Sequence, residues 1–94
     1  MKKALIINSN DNVAVILEET KKGECIELLG PNLKCSIISN EKIPFAHKIA
    51  LKDINEGEDV VKYGEKIGYA TKKINKGDWI HIHNINCERG RKTI

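Results

Sequence analysis

The chain has 94 residues, of which 40% are hydrophobic, 31% charged and 4% aromatic, and its formal net charge is +3. That is one small domain with one modest core, and it leaves too little chain to enclose a substrate pocket on the order of several hundred Å³ as well. These figures exclude a disordered tract and a stand-alone metabolic enzyme, leaving a subunit, a binding module or a regulatory domain.

The chain begins Met1-Lys2-Lys3-Ala4-Leu5-Ile6-Ile7-Asn8, with Asn10, Asp11 and Asn12 close behind. The lysines suit a secretory signal, but the apolar stretch is too short for one. The longest apolar run, residues 13–17, is far short of a membrane span. A cytoplasmic protein with no membrane partner is expected. β-branched and apolar residues fill positions 3–8 and 12–17, with the turn-forming Asn10-Asp11-Asn12 between them. A strand is expected at 25–29, then a turn at Gly30-Pro31-Asn32, where Pro fixes φ and Gly and Asn tolerate positive φ. Further strands are expected at 33–38, 47–51, 60–63, 67–71 and 79–85. No segment sustains helical spacing, so the pattern predicts an all-β barrel, sandwich or clip forming a single domain over 1–94.

Cys25, Cys35 and Cys87 are odd in number and widely spaced. They read as reduced thiols of a cytosolic protein, and their gaps match no iron–sulfur ligand run. The basic tail at 87–94 includes Arg89, Arg91 and Lys92, and reads as a frayed end or an arm onto an acidic surface. Elsewhere acids interleave the basic residues, without an aromatic stacking set, so no nucleic-acid partner is expected.

One short pattern recurs. Ile54-Asn55-Glu56-Gly57-Glu58 matches Ile74-Asn75-Lys76-Gly77-Asp78, and Thr20-Lys21-Lys22-Gly23-Glu24 is a fainter copy. An anchor, two polar residues, a glycine free to take positive φ and an acid describe a tight turn that opens a strand. The copies set strand starts near Ile26, Val60 and Ile80.

The strongest chemical candidate is Trp79-Ile80-His81-Ile82-His83-Asn84. On a strand Ile80 and Ile82 would face the core, and Trp79, His81 and His83 the other side. Histidines two apart lie about 6–7 Å apart at Cα, so their rings can converge on one metal ion or one anionic ligand; alternatively they are two solvated histidines on an outer face. His47, with Ile49 and Leu51 on its face, is either a hydrogen-bonded histidine at the core edge or a third functional ring. Lys48 and Lys62 can meet a carboxylate or simply be solvated. Gly64 and Gly68 lack the context of a phosphate loop and read as turn glycines.

The residues Ile43-Pro44, His47-Lys48, Ala50-Leu51 and Ile54 carry a family resemblance together with Gly57-Glu58, Lys62-Tyr63-Gly64, Ile67-Gly68, Ala70-Thr71, Ile74, Gly77 and Trp79-Ile80-His81-x-His83-Asn84. In that order they resemble the SAF-type domain of the altronate and galactarate dehydratase family, which includes the sulfolactate sulfo-lyase small subunit. The resemblance spans about residues 5–86. It implies a small β-clip fold and an alpha-type small subunit of a hydro-lyase or carbon–sulfur lyase. Such a subunit is inactive alone and works with a larger catalytic subunit on a sugar acid or hydroxy acid. Elimination from such an acid needs a divalent cation or cationic side chains on its carboxylate, so a divalent metal (iron, magnesium or manganese) is an expectation for the assembled enzyme and none is expected in the isolated chain. His81, His83 and His47 would be its catalytic contribution, with His81 and His83 also its metal ligands. Lys48, Lys62 and Asn84 would touch substrate. Because the chain stops at Ile94, the split form is expected; an excised N-terminal domain is the other source. Homo-oligomerisation is left open. The alternative function is a stand-alone SAF-like ligand-binding or regulatory module.

Two positions depart from the family. Ala46 stands where the family commonly has glycine, so a positive φ there would cost about 1 kcal/mol. Ile85-Asn86-Cys87 replaces a small residue and threonine after the His-Asn pair.

Overall fold

Each short apolar run becomes a strand, because no run is long enough for anything else and turn residues separate them all. The computed structural model describes residues 1–31 and 33–87, with nine strands among them. In chain order these are β1 Lys2–Leu5, β2 Val13–Ile16, β3 Cys25–Gly30, β4 Leu33–Ile38, β5 Lys48–Ala50, β6 Asp59–Lys62, β7 Glu65–Ala70, β8 Trp79–Ile80 and β9 Ile85–Asn86. Six form one sheet in the order β4-β3-β1-β2-β5-β8, and three form a second in the order β6-β7-β9. β1 and β3 pair in parallel, with Lys2 opposite Ile26 and Leu5 opposite Leu29; all other pairs are antiparallel. The all-β expectation holds. Of the basic tail at 87–94, only Cys87 lies among the described residues.

The expected strand at 79–85 is a correction. It breaks after Ile80, turns through 81–84, and resumes at Ile85 in the other sheet. The Asn84 side chain explains the break. Its Oδ1 accepts the His81 N–H at 3.0 Å, and its Nδ2 donates to the Trp79 carbonyl at 2.8 Å. An asparagine satisfying backbone groups in this way competes with the strand ladder. Ile82, expected to face the core, sits at the turn tip and is 70% exposed.

The repeated turn is the organising device, and it occurs four times. Gly23, Ala46, Gly57 and Gly77 occupy one position in it, with φ of 85°, 70°, 86° and 93°. In each copy that residue's N–H donates to a neighbouring carbonyl, of Ser39, Ile16, Ala70 and Ala50 respectively. The anchors pair in two antiparallel bridges, Thr20 with Ile43 and Ile54 with Ile74. The fourth copy, Ile43-Pro44-Phe45-Ala46-His47, is hidden in the sequence because alanine replaces the glycine and histidine replaces the acid. In the other three, the acid locks the turn by accepting the N–H three residues back. Lys21 donates to Glu24 at 2.6 Å, Asn55 to Glu58 at 2.6 Å, and Asn75 to Asp78 at 2.8 Å. In the copy at 43–47 the equivalent donor would be Pro44, which has no N–H. The His47 side chain is therefore free of that duty.

The core divides in two. Ala4, Ile6, Ala14, Ile16, Ile26, Leu28, Ile37, Ile43 and Ile49 form one cluster, with Leu51 and Trp79 packed against it. Val13, Ala50, Ile54, Val60, Ala70, Ile74, Ile80 and Ile85 form the other. Buried Asn12 ties the sheets together. Its N–H donates to the Val61 carbonyl at 3.2 Å and its carbonyl accepts the Leu51 N–H at 2.9 Å. Its side chain donates to the Asp59 carbonyl at 2.9 Å and accepts the Val61 N–H at 2.8 Å. The second contact falls where the register of β6 against β7 shifts, between Val60 and Val61, so Asn12 satisfies a donor at the bulge.

Candidate functional site

The β5–β8 pairing builds the site. Lys48 lies opposite Ile80, and Ile49 opposite Trp79. Continued one step, this register sets His47, just before β5, across from His81, just after β8. Their rings stack, with centroids 4.8 Å apart and planes at 28°. Trp79 is the hub of the cluster. Its ring lies 5.7 Å from His47, 5.7 Å from His81 and 5.1 Å from His83. Its indole Nε1–H donates to His47 Nδ1 at 3.1 Å. Three histidines from two chain segments thus gather round one tryptophan.

The hub is anchored. The Trp79 N–H donates to the Glu41 carboxylate at 3.0 Å, and its carbonyl accepts from Asn84. His47 is held by the released turn: its N–H donates to the Pro44 carbonyl at 3.1 Å, and its carbonyl accepts the Ile16 N–H at 2.8 Å. The positive φ of Ala46 that swings His47 onto this face is the strained one anticipated for a residue with a Cβ.

Lys48 lies within electrostatic reach of His81. Burial lowers the Lys48 pKa from the ordinary 10.5, and the Lys62 charge lowers it further. Burial likewise lowers that of His81 from 6.5, with contributions from His47, Lys48 and His83. His81 is therefore neutral at neutral pH. Lys48 is 6% exposed, and the Lys62 ammonium sits 4.7 Å from the centroid of the Tyr63 ring. Asn84 is buried, and its oxygen and nitrogen both serve the turn that presents His81. His83 is exposed beside it.

Among the described residues, no group of three or more His, Cys, Asp or Glu side chains is placed to hold a metal ion. A metal at this face would need ligands from elsewhere. Among the described residues, no helix is long and apolar enough to cross a membrane. A cleft of about 300 Å³ lined by Ile6, Leu28, Pro31, Cys35 and Leu51, among others, includes none of the histidines. Phe45, two residues before His47, and Ile82, between His81 and His83, are both exposed, at 64% and 70%.

The alternation of Trp79, His81 and His83 was readable from the sequence, but the part played by Trp79 was not. Its available signal was that it is the chain's single tryptophan, set beside the paired histidines. The hidden turn at 43–47 was the signal that would have tied His47 to the same face.

A small all-β domain built from repeated turns, presenting one histidine–tryptophan face, defines the class. The altronate/galactarate dehydratase SAF domain model matches residues 2–88, and the chain belongs to that family. It is 40% identical over 84 residues to altronate dehydratase of Bacillus subtilis, covering 89% of this chain and 16% of that protein. It is 39% identical over 49 residues to the (2R)-sulfolactate sulfo-lyase subunit alpha of Chromohalobacter salexigens, covering 52% of each. It is 35% identical over 80 residues to galactarate dehydratase (L-threo-forming) of Escherichia coli, covering 79% of this chain and 13% of that one. The chain thus spans about a sixth of the altronate dehydratase and half of the sulfo-lyase subunit.

Proposed function

We propose that this domain is the small subunit of a cytoplasmic lyase acting on a sugar acid or hydroxy acid, and that its histidine face completes an active site on a larger catalytic subunit. The observation that carries the reading is the convergence of His47, His81 and His83 on Trp79, with Lys48 acting on His81 and Lys62 acting on Lys48. Kinship with two dehydratases and a sulfo-lyase alpha subunit supports it. The free thiols of Cys25 and Cys35 fit a reducing compartment.

The chemistry asks for such a surface. Eliminating water or sulfite from a 2-hydroxy acid begins with loss of the proton α to the carboxylate. Negative charge then grows on that carboxylate, and cationic groups stabilise it. Lys48 and Lys62 supply the positive potential. The leaving hydroxide needs a proton, and the histidine rings supply hydrogen-bond donors for it. The general base belongs to the larger subunit. A divalent ion in the assembled enzyme would stabilise the same carboxylate charge and would take most of its ligands there too, with His81 and His83 as this chain's candidates.

The test is reconstitution with a larger catalytic subunit of the same lyase family. Replacing both His81 and His83 with alanine should lower turnover by about 10²–10⁴-fold, the range for lost acid–base groups, with the complex still assembling on size exclusion. Undiminished turnover overturns the reading. So does an isolated chain that binds a sugar acid and finds no partner.

A further inference from the structure

The hydrogen bond from the Trp79 indole to His47 has a definite direction, and it fixes where a proton sits. The indole nitrogen of Trp79 only donates. It points at Nδ1 of His47, 3.1 Å away, so Nδ1 must present a lone pair. The proton of the neutral ring is then on Nε2. Nothing else in the turn competes for Nδ1, because the acid–amide lock of the sister turns is missing where Pro44 stands. Both partners are pinned before any ligand arrives. Trp79 is held by Glu41, Asn84 and the β5–β8 ladder. His47 is held through its own N–H and carbonyl and through the Ala46 N–H, which donates to the Ile16 carbonyl at 2.8 Å.

We infer that Trp79 is a positioning residue that locks His47 in its Nε2–H tautomer, so that His47 offers a proton donor, and no lone pair, to whatever the face binds. The matching ligand atom is an oxygen acceptor, a carboxylate or a hydroxyl. A metal ion needs the lone pair that this tautomer lacks on Nε2, so His47 stays out of any metal shell. The catalytic use of this donor rests on the proposed function; the tautomer itself does not.

Long-range ¹H–¹⁵N spectra of the full chain at neutral pH read the tautomer directly. The expected pattern for His47 is a single tautomer, with Nδ1 unprotonated and Nε2 protonated. Trp79→Phe keeps a ring in the core but deletes the donor, and should move both His47 nitrogens toward the average of two tautomers. A merely structural role for Trp79 would leave them alone. If Trp79→Phe fails to fold, the indole N–H of the native chain provides the second reading. Its hydrogen exchange should speed up about tenfold in His47→Ala, the equivalent of one net hydrogen bond. A protonated Nδ1 in the native chain overturns the inference. So do His47 nitrogens unmoved by Trp79→Phe, or indole exchange indifferent to His47→Ala. None of these readings requires the larger subunit. A locked tautomer with undiminished turnover in the reconstituted double-histidine variant would therefore remove the proposed function and leave this inference standing.

Discussion

Ile54 and Ile74 face each other across an isolated antiparallel bridge, each donating its N–H to the other's carbonyl at 2.8 Å. The two clearest copies of the repeated turn are thus set back to back, and both anchors are fully buried in the second core cluster. The turns themselves do not tolerate change equally.

Gly57 and Gly77 share the same left-handed conformation but differ in surroundings. A Cβ on Gly57 meets nothing within 4 Å, whereas one on Gly77 would lie 2.5 Å from the Ile38 carbonyl oxygen. Gly57→Ala should cost about 1 kcal/mol of stability from φ alone, and Gly77→Ala about 2–4 kcal/mol once the backbone clash is added. Ala46→Gly should stabilise by less than about 1 kcal/mol, since relief of strain is offset by a more flexible unfolded chain. Urea unfolding of the three variants measures this; equal costs at Gly57 and Gly77 would refute the clash.

Asn84 holds the turn that carries His81 and His83. Asn84→Ala removes two buried hydrogen bonds and should cost about 2–3 kcal/mol. Turnover of the reconstituted enzyme should fall further than that loss of folded protein explains, because the histidines lose their platform. Comparing turnover per folded subunit with the unfolding curve separates the two effects.

The pH dependence of stability follows from His81. Its folded pKa lies below the ordinary 6.5. Between the folded and unfolded values, the unfolded chain holds more protons, so stability rises with pH there. The contribution is complete above about 6.5 and is lost as pH falls through the folded pKa. His81→Gln should flatten the acid limb of a Tm-against-pH curve. A limb superimposable on that of the native chain would contradict the shift.

Phe45 and Ile82 flank the histidine face and are mostly exposed. If the larger subunit covers that face, Phe45→Asp and Ile82→Asp should each weaken association tenfold or more, about 1.4 kcal/mol, with the Tm of the isolated chain unchanged within about 0.5 kcal/mol of stability. Titration calorimetry against the larger subunit checks the first part, and thermal melting the second.

Most strand starts were legible because turn residues mark them: Gly23, Gly57 and Gly77 each announce a strand two residues on. The break at 81–84 was not. His81-Ile82-His83 alternates like a strand, and the asparagine that overrules the alternation acts through hydrogen bonds that a period-two count does not weigh. The turn at 43–47 escaped for the opposite reason, since its two diagnostic residues are the ones replaced. Of the site, the common face of Trp79 and His81 could be read from one segment. The arrival of His47 beside them depends on β5 pairing with β8, thirty-odd residues apart, and only the family resemblance pointed to it.

Asn12 couples the strands of the two lysines mechanically. It grips the strand that ends in Lys62 through Asp59 and Val61, and the end of the Lys48 strand through Leu51. The backbones that carry the two lysines are therefore joined through a residue that has no charge of its own. Losing the Asn12 amide would leave the Val61 N–H without its acceptor at the bulge and loosen the joint between the two strands.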